Sequence, residues 1–585
     1  MKTVPLGLAI LSLFISPSAR PAVMPLATRA DTAFEALAHD YIEDYLRLNP
    51  EEATELGDHR YDGRLSDYSP AGLKASGDVA RKYLAALDLL YQTERAALTG
   101  ANRVDAQILQ TNLEYHLFTL EQLRPQENNP RFYNGSLANA IYSLTSRESA
   151  PAAVRLHAIA QRLAALPAVI DQAKANLQHP AKICTETAID QTGGAISLIR
   201  DDLEPLLKQA PELRAEVAPA QAKAIAALTA YQAWLKTDLL PRSTGDFRLG
   251  EKLFRQKLRF ALGSDLTPEQ ILTRAEAELV KTTDLLYATA KPLYLAAHPT
   301  ADAATLADRS KVIKAVLDHL AEKSLTDDTI VGRATATLKE ATDFVRAHDF
   351  VTLPDTPVKV IVAPEFNRGA AVAYCQPPGA LEPQGETFFA IAPTPADWPA
   401  TRKLSFYREY NEYMLHDLTV HEAMPGHYLQ LAHANQFKAP TLVRALFFSG
   451  TFAEGWAVYT ERVMAEAGFG GPEVRMQQLK MRLRATINAI LDQKIHMGSM
   501  TEKEAIDLMM KSGFQEEGEA VGKWKRARLT STQLSTYFVG TVEQDDLRAA
   551  AEAKAGAAFN LKKYHDTVLS YGTPPVKFVR REMGL

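Results

Sequence analysis

The chain has 585 residues, of which 46% are hydrophobic and 23% are charged. This is the composition of a globular protein, and it excludes collagen-like and broadly disordered classes. There are 65 basic and 70 acidic residues, which gives a net charge of −5. A chain with this net charge has no overall excess of positive charge that would bind a nucleic acid or an anionic membrane. We therefore expect no nucleic-acid partner, and the composition leaves the oligomeric state open.

The cysteine content also limits the class of protein. Cys184 and Cys375 are the two cysteines of the chain, which excludes a disulfide-rich scaffold and a zinc site built from cysteine clusters. A single bridge between them stays open as an alternative in an oxidising compartment.

The first 22 residues have the pattern of a secretory signal. Lys2 precedes an apolar run from Val4 to Ile15, and small residues and proline follow, with a cleavage point open up to residue 30. The run is too short to span a bilayer, and no other run of about 18 or more apolar residues occurs. We expect a periplasmic or secreted protein with no stable membrane insertion. No cysteine follows the apolar run, which disfavours a lipid anchor there.

Helical periodicity dominates residues 31–350, which we interpret as an N-terminal helical lobe. Ser69 before Pro70 is typical of an N-cap followed by proline in the first helical turn. Thr267 begins a capping-box pattern, which predicts a second helix start. By contrast, the polar stretch 180–194 contains paired glycines and is predicted to be a loop.

The pattern changes across residues 351–396. Val358–Ala363 and Thr387–Ala392 are short β-branched or aromatic runs that flank a segment rich in proline and glycine, which predicts a small antiparallel sheet. Helical patterns resume over 397–585, which we interpret as a C-terminal catalytic lobe. The expected fold class is therefore mainly α: a large, two-lobed helical fold of metallopeptidase type, with the small β insertion near the active-site cleft.

The most informative segment of the chain is LTVHEAMPGHYLQ, which contains His421, Glu422 and His427. It is an HExxH zinc motif with two extra residues. In the ordinary motif the histidines, four residues apart, share one helix face. Six residues correspond to about 600° of rotation, so a straight helix would point the two imidazoles about 120° apart. Pro425 lacks a backbone N–H and Gly426 tolerates unusual backbone angles, so we expect the chain to bend between the histidines. The alternative is that Pro-Gly simply ends a helix and His427 is an ordinary polar residue.

A carboxylate further along the chain completes a candidate metal site. Glu454 follows His427 by 27 residues and stands among apolar neighbours, where a carboxylate needs a partner or a cation. Two histidines and one glutamate with an open fourth position are a known arrangement of catalytic zinc. We predict one zinc ion per chain, held by His421, His427 and Glu454, with Glu422 as the general base. Glu461, seven residues later on the same helix face, is predicted to orient a ligand histidine. The alternative for both later glutamates is an ordinary solvated position on a helix.

Four segments together resemble a known family: HEAMPGHYLQ, EGWAVYTE, RATINAILDQKIH and QLSTYFVG. They are similar to the bacterial "domain of unknown function 885" proteins, and the resemblance runs over nearly the whole chain after the signal. It implies a mainly helical, gluzincin-like zinc metallopeptidase with an HExxPGH motif, akin to the carboxypeptidase Taq and oligopeptidase groups. One departure is visible. Where the resemblance leads us to expect Pro-Gly-Gln ahead of Tyr537, this chain has Ser531, Thr532 and Gln533.

A polar line follows the EGW segment. Arg484, Asn488, Asp492 and His496 recur every four residues on an otherwise apolar helix, a pattern of either a solvated face or a cavity wall. The resemblance favours the cavity. In that case His496 is a candidate for stabilising an oxyanion, and Asp492 is a candidate for orienting or binding. Arg484 is then a candidate partner of a substrate carboxylate.

Two tyrosines complete the candidate site. Tyr537 is a candidate donor to the oxyanion, because related peptidases place a Tyr or His opposite the zinc; the alternative is a core tyrosine with a satisfied hydroxyl. Tyr374 lies in the predicted β segment, whose free edge is a candidate for pairing with an extended peptide.

The sequence thus favours a secreted zinc metallopeptidase that acts on short peptides, as a carboxypeptidase or a dipeptidase. A metal-dependent hydrolase of non-peptide amides or esters is an alternative, since activated water and a polarised carbonyl serve both reactions. A non-catalytic periplasmic binding protein is another. Glu422 discriminates against the last, because a binding protein has no use for a base beside a ligand histidine.

Overall fold

The computed structural model describes residues 28–363, 372–382, 384–396 and 398–585. Within them the chain is mainly helical, with a small three-stranded sheet. The predicted signal segment over 1–22 lies outside the described residues.

The helices that precede the sheet are α1 (Arg29–Leu48), α2 (Pro50–Leu56), α3 (Pro70–Glu94), α4 (Gly100–Phe118), α5 (Pro125–Asn128), α6 (Arg131–Ser146), α7 (Ala152–Asn176), α8 (Lys182–Asp201), α9 (Glu204–Gln209), α10 (Arg214–Trp234), α11 (Gly250–Leu262), α12 (Pro268–Ala297), α13 (Ala303–Ala307), α14 (Arg309–Leu320) and α15 (Ile330–His348). The two predicted helix starts are confirmed. Ser69 caps α3 by accepting a hydrogen bond from the Gly72 N–H, and Thr267 forms a capping box at the start of α12.

The loop predicted over 180–194 is wrong, since α8 spans Lys182–Asp201. This helix buries small and aliphatic side chains, among them Ala188, Ala195 and Leu198, against α6 and α10. Gln232 of α10 also donates from Nε2 to the carbonyl oxygen of Ile189, at 2.9 Å. Packing on two neighbouring helices therefore overrides the weak helix propensity of its threonines and paired glycines.

The sheet consists of β1 (Val358–Val362), β2 (Ala373–Gln376) and β3 (Thr387–Ile391) in the order β1-β3-β2. Strand β1 pairs with β3 in parallel, and β2 pairs with β3 antiparallel. The sheet is mixed, which corrects the predicted antiparallel pairing. The two β-rich runs are not joined by a tight hairpin turn, so nothing in their patterns constrained their relative direction.

The helices that follow the sheet are α16 (Ala400–Glu409), α17 (Glu412–Glu422), α18 (His427–Gln436), α19 (Val443–Leu446), α20 (Gly450–Glu466), α21 (Gly471–His496), α22 (Glu502–Lys511), α23 (Glu517–Leu529), α24 (Ser535–Ala555), α25 (Leu561–Leu569) and α26 (Val576–Glu582). The largest core cluster packs residues of α15, the sheet, α17, α18 and α20 together. This cluster surrounds the candidate site and contains residues from both sides of position 350, so the predicted lobe boundaries there and near 397 stay a prediction.

Two further findings concern the cysteines and the membrane. Cys184 in α8 and Cys375 in β2 are both free, so the bridge left open by the sequence is not formed. Among the described helices, α7 is long and apolar enough to cross a membrane by length and composition, and 56% of its apolar window is buried within the protein.

Candidate metal centre

The segment between the two motif histidines is a turn rather than a kinked helix. Helix α17 ends at Glu422 and α18 begins at His427, with a cis peptide bond before Pro425. The Gly426 N–H donates to the Val420 carbonyl at 2.9 Å. A Cβ on Gly426 would lie 1.9 Å from the carbonyl oxygen of His421, so only glycine fits here. Pro-Gly thus does end a helix, as the alternative interpretation has it. The same turn nevertheless brings the two histidines together.

The EGW segment of α20 holds this turn. The Trp456 indole N–H donates to the Pro425 carbonyl oxygen at 2.9 Å, and the bond is buried. Next to it, Gly455 faces Gly540 of α24 so closely that a Cβ on Gly455 would lie 2.3 Å from the Gly540 carbonyl carbon. The helix that carries Glu454 is thus fixed against the turn on one side and against α24 on the other.

These contacts bring the three predicted ligands together. The ligand atoms of His421, His427 and Glu454 lie within 4.8 Å of one another. The Nε2 atoms of His421 and His427 are 3.4 and 3.5 Å from Glu454 Oε2, and that oxygen is buried without a hydrogen-bond partner in the part of the chain that the structure describes. Two imidazole nitrogens and one carboxylate oxygen converging on one point are a donor set that suits a zinc ion.

The charges around this point favour a cation. Burial acts to raise the pKa of Glu454, but the His421 and His427 imidazoles outweigh it and hold that pKa well below its usual range. Burial acts to lower the pKa of His421, but Glu454 and Glu461 outweigh it and raise that pKa well above its usual value. The carboxylates therefore stabilise positive charge between the two imidazoles.

Glu461 contacts a candidate ligand histidine, as predicted from its position on the same helix face as Glu454. Its Oε1 is 2.6 Å from Nδ1 of His421, and its side chain is 1% exposed. A carboxylate on Nδ1 orients the ring and leaves Nε2 of His421 facing Glu454 and His427.

Glu422 lines the same cavity as His421 and is held from the sheet. Its Oε2 accepts a hydrogen bond from the Cys375 backbone N–H of β2, at 3.0 Å. Burial raises the pKa of Glu422, and the neighbouring histidines act against this. A raised pKa moves the carboxylate toward the range in which a general base is most effective at neutral pH.

Tyr537 also lines this cavity. Its hydroxyl accepts hydrogen bonds from Arg526 at 3.3 Å and from Gln533 at 3.4 Å. Burial raises the pKa of Tyr537, with Glu454 contributing to the shift. The hydroxyl is therefore protonated at neutral pH and lies within the electrostatic reach of the proposed ligands.

Asp492 holds the loop that leads to Tyr537. Its carboxylate accepts hydrogen bonds from the backbone N–H groups of Thr532 at 2.9 Å and Ser535 at 3.1 Å, and from the Ser535 hydroxyl at 2.7 Å. Thr532 has a φ of +67°, a left-handed conformation that strains a β-branched residue. This is the position at which the family resemblance leads us to expect glycine.

Arg484 and Asn488 line the cavity as well, so part of the polar line faces inward. Arg484 forms an ion pair with Glu519, and its Nη1 is 3.7 Å from Oε1 of Glu409. The guanidinium therefore forms ion pairs with two carboxylates.

His496 is a correction. Its Nε2 is 2.8 Å from the Thr530 carbonyl oxygen, and its ring stacks on Phe254 at a centroid distance of 5.7 Å. The residue does not line the cavity with Arg484, because twelve residues along a regular helix rise about 18 Å and drift about 120° around the axis. His496 joins α21 to the end of α23 and is not placed to stabilise an oxyanion.

Tyr374 lies in β2, an edge strand of the sheet, and pairing of this edge with an extended peptide stays a prediction. The side chain of Tyr374 interacts with Tyr142 and packs against the small cluster formed by Ala363, Ala390 and Ala392. Successive strand residues face opposite sides of a sheet. Strand β2 therefore reaches the site through the main chain of Cys375, while Tyr374 faces away.

Two basic residues of the cavity wall were missed by sequence reasoning. Lys523 and Arg526 of α23 line the cavity, although the basic run around them has the ordinary pattern of a solvated helix. Nothing in their spacing to the histidines indicates the contact, since α23 is brought to the site by the tertiary fold.

The fold and the site define a large helical protein with a partly buried histidine–carboxylate cluster next to a small mixed sheet. The chain belongs to the bacterial protein family of unknown function DUF885, whose family model matches residues 50–583. The family resemblance is thereby confirmed.

Solved structures of two bacterial proteins are among those that share the fold. A protein of Shewanella oneidensis, described as "a putative lipoprotein of unknown function", is 31% identical, with a TM-score of 0.80 over 94% of this chain and 100% of that one. A protein of Colwellia psychrerythraea, described as a "putative lipoprotein", is 19% identical, with a TM-score of 0.75 over 95% of this chain and 98% of that one. The second likeness concerns the fold alone. No curated protein matches this chain.

Proposed function

We propose that this protein is an extracytoplasmic, zinc-dependent metallopeptidase that hydrolyses short peptides, as a carboxypeptidase or a dipeptidase. The observation that carries the proposal is the convergence of His421, His427 and Glu454 on one point, with Glu422 and Tyr537 in the adjoining cavity. The two-lobed, metallopeptidase-like architecture and the HExxPGH assignment belong to the same proposal.

His421, His427 and Glu454 would hold the zinc ion through two imidazole nitrogens and one carboxylate oxygen. When bound, zinc supplies Lewis-acid chemistry, since it lowers the pKa of a water molecule to about 7 and polarises a carbonyl group. Glu461 keeps the proton on Nδ1 of His421, so that Nε2 of the ring stays available as a ligand.

Glu422 would act as the general base. Its carboxylate accepts a proton from the attacking water and returns it to the nitrogen of the leaving group. The N–H of Cys375 keeps one carboxylate oxygen in place, and burial supports the basicity of the other. Tyr537 would donate from its hydroxyl to the carbonyl oxygen as negative charge develops there.

An extracytoplasmic location is supported by one relative and by the N-terminal sequence. The Shewanella oneidensis protein, 31% identical, is described as a putative lipoprotein, a class of protein that lies outside the cytoplasm. The apolar N-terminal segment of this chain has the pattern of a secretory signal.

The test combines metal analysis with a cleavage screen. The purified wild-type protein is expected to contain about one zinc ion per chain and to hydrolyse members of a short-peptide library. Glu422→Gln is expected to keep the zinc and lose hydrolysis by about 10²–10⁴-fold, the range of general acid–base catalysis. A metal-free wild type, or an active Glu422→Gln protein, would contradict the proposal. Cleavage of esters or non-peptide amides in preference to peptides would instead favour the wider class of metal-dependent hydrolases.

A further inference from the structure

Two cavities of different size meet at the candidate metal centre. On one side, a cavity of about 150 Å³ contains His421, Glu422 and Tyr537. On the other, a cleft of about 730 Å³ contains His427 and Glu454. The smaller space is the size that holds one benzene-sized group, whereas the larger one accommodates several residues of a peptide. A substrate bound across the metal centre would therefore place a short end in the small cavity and a long end in the large cleft.

The small cavity has a basic wall that the proposed mechanism does not use. Arg484 and Lys523 form it from α21 and α23, and Arg526 adds a guanidinium beside the Tyr537 hydroxyl. We call these three residues the basic wall. Three carboxylates, those of Asp417, Glu422 and Glu461, also line the cavity. Glu422 accepts a hydrogen bond from the Cys375 N–H, Glu461 is paired with His421, and Asp417 is 2% exposed.

Lys523 is the residue of this wall whose ammonium is held only by a long ion pair. It is 5% exposed, and its Nζ lies 3.8 Å from Glu519, beyond hydrogen-bond distance. Within the described part of the chain its ammonium makes no hydrogen bond. Glu519 is itself paired with Arg484. Lys523 therefore shares the Glu519 carboxylate with Arg484 at ion-pair distance, and its ammonium keeps hydrogen-bond capacity for a further anion.

A second donor of the wall also makes no hydrogen bond. Nη1 of Arg484 is buried and lacks a hydrogen-bond partner among the described residues, while Oε1 of Glu409 lies 3.7 Å away as its ion-pair partner. Burial and the neighbouring Arg484 guanidinium lower the pKa of Lys523 well below its usual value, although Glu519 and Glu409 act against this. An anion bound beside the ammonium would raise that pKa. A carboxylate in the cavity would satisfy both donors, because ionised acceptors form the stronger hydrogen bonds with ammonium and guanidinium groups.

The larger cleft has the opposite character. Glu52 and Glu55 line it, and both side chains are exposed. Of its basic residues, Arg444 is paired with the buried Asp105, and Lys438 is exposed. A free carboxylate is therefore favoured in the small cavity and disfavoured in the large cleft.

We propose that the basic wall binds the free carboxylate at the C-terminus of a peptide, so that cleavage at the metal centre releases one small C-terminal residue. This inference rests on the proposed function and gives it a direction. Water adds its oxygen to the carbonyl carbon of the last peptide bond, the C–N bond breaks, and the nitrogen leaves with the proton that Glu422 transfers. The products are one free amino acid and a peptide shorter by one residue.

The first experiment measures binding without turnover. The Glu422→Gln protein, with one equivalent of zinc, is titrated with N-dansyl-trialanine as the free acid and as the C-terminal amide, and binding is followed by fluorescence anisotropy. The free acid is expected to bind at least about tenfold more tightly, since charge-assisted hydrogen bonds distinguish the two. Equal affinities of acid and amide would overturn the inference.

Variants then assign this preference to the basic wall. Lys523→Gln in the same background is expected to weaken binding of the acid about tenfold and to leave binding of the amide unchanged. Lys525→Gln, an exposed lysine of the same helix, is the matched control and should keep the preference. An acid preference that survives Lys523→Gln would overturn the inference. Because the acid and amide are first compared without this change, the test does not depend on the folding of the variant.

The second experiment separates the inference from the proposed function. Wild-type protein is incubated with a tetrapeptide, and the products are identified by mass spectrometry. Release of single C-terminal residues supports both proposals. Cleavage from the N-terminus or within the chain would overturn the inference and leave the peptidase proposal intact. A preference for the acid in binding, without any hydrolysis, would support the carboxylate site and contradict the peptidase proposal.

Discussion

Two polar segments of this protein behave in opposite ways. From His421 to His427 a break in the helix brings together two imidazoles that a regular helix would hold apart. From Arg484 to His496 a regular helix separates four polar residues that the sequence places on one line. Arg484 and Asn488 reach the cavity, whereas Asp492 holds a neighbouring loop and His496 packs elsewhere.

This difference shows that a four-residue spacing is a weak guide to a site when it continues over twelve residues of a helix. Steps of four residues drift by about 40° each, so a line that begins in a cavity leaves it within three steps. An irregular turn has no such drift, because its own hydrogen bonds and the indole of Trp456 determine its path. In this protein the broken helix builds the candidate site, and the intact helix supports it.

The sharpest test of this comparison exchanges one histidine in each segment for alanine. His421→Ala is expected to abolish zinc binding and hydrolysis, since it removes a ligand. His496→Ala is expected to keep the zinc content and to change hydrolysis less than about threefold, with a loss of roughly 1 kcal/mol of stability from the broken hydrogen bond. Metal analysis, peptide hydrolysis and urea unfolding measure the three quantities. Loss of zinc in His496→Ala would contradict the placement of that residue.

The turn itself is tested by Gly426→Ala. The added Cβ would meet the His421 carbonyl oxygen at 1.9 Å, so the turn must move and the histidines with it. We expect a loss of more than about 2 kcal/mol of stability together with a large fall in zinc affinity. Gly332→Ala, in α15 with no atom within 4 Å of the added Cβ, is the control and should stabilise the helix by up to about 1 kcal/mol. Unchanged zinc affinity in Gly426→Ala would show that the turn tolerates a side chain.

Tyr537→Phe tests the loop supported by the intact helix. Removing the hydroxyl is expected to lower kcat by about 10²–10³-fold, the effect of losing one oxyanion donor, while zinc content and KM change little. Steady-state kinetics and metal analysis distinguish this from unfolding. If kcat is unchanged, Tyr537 has no part in the reaction.

Glu461→Gln tests the contact by which α20 orients His421 at the end of α17. The neutral amide holds His421 less firmly and makes its Nε2 a weaker ligand, so zinc affinity is expected to fall by about 10–100-fold. Competition with a chromogenic zinc chelator measures the change. Glu466→Gln, an exposed position of the same helix, should bind zinc like the wild type, and a similar loss in both variants would exclude a specific role of Glu461.

The smallest effect is expected at Thr532. Its φ of +67° favours glycine, and a β-branched residue is strained there, so Thr532→Gly is expected to raise the free energy of unfolding by about 0.5–1 kcal/mol. Thr530 has a φ of −129°, and Thr530→Gly should therefore give no such gain. Denaturant unfolding of both variants provides the comparison, and equal changes would mean that the backbone of Thr532 is not strained.

Local rules predicted the parts of this fold that depend on neighbouring residues. The caps of α3 and α12 follow from Ser69 and Thr267, whose side chains reach only three residues ahead. The β segment was also found from its β-branched runs. The direction of strand pairing was not, because it depends on a connection of 24 residues that includes a third strand. Helix α8 was missed for a similar reason, since its stability comes from α6 and α10 rather than from its own residues.

The candidate site divides in the same way. The sequence by itself determined the donor types, the break at Pro425-Gly426 and the alignment of Glu454 with Glu461, because these follow from residue chemistry and from the geometry of one helix or turn. Only the tertiary structure decided that the Cys375 N–H contacts Glu422, that Lys523 lines the small cavity and that His496 lies outside it. Such contacts join residues distant in the chain, and their distances depend on how whole helices pack, which no local pattern of residues encodes.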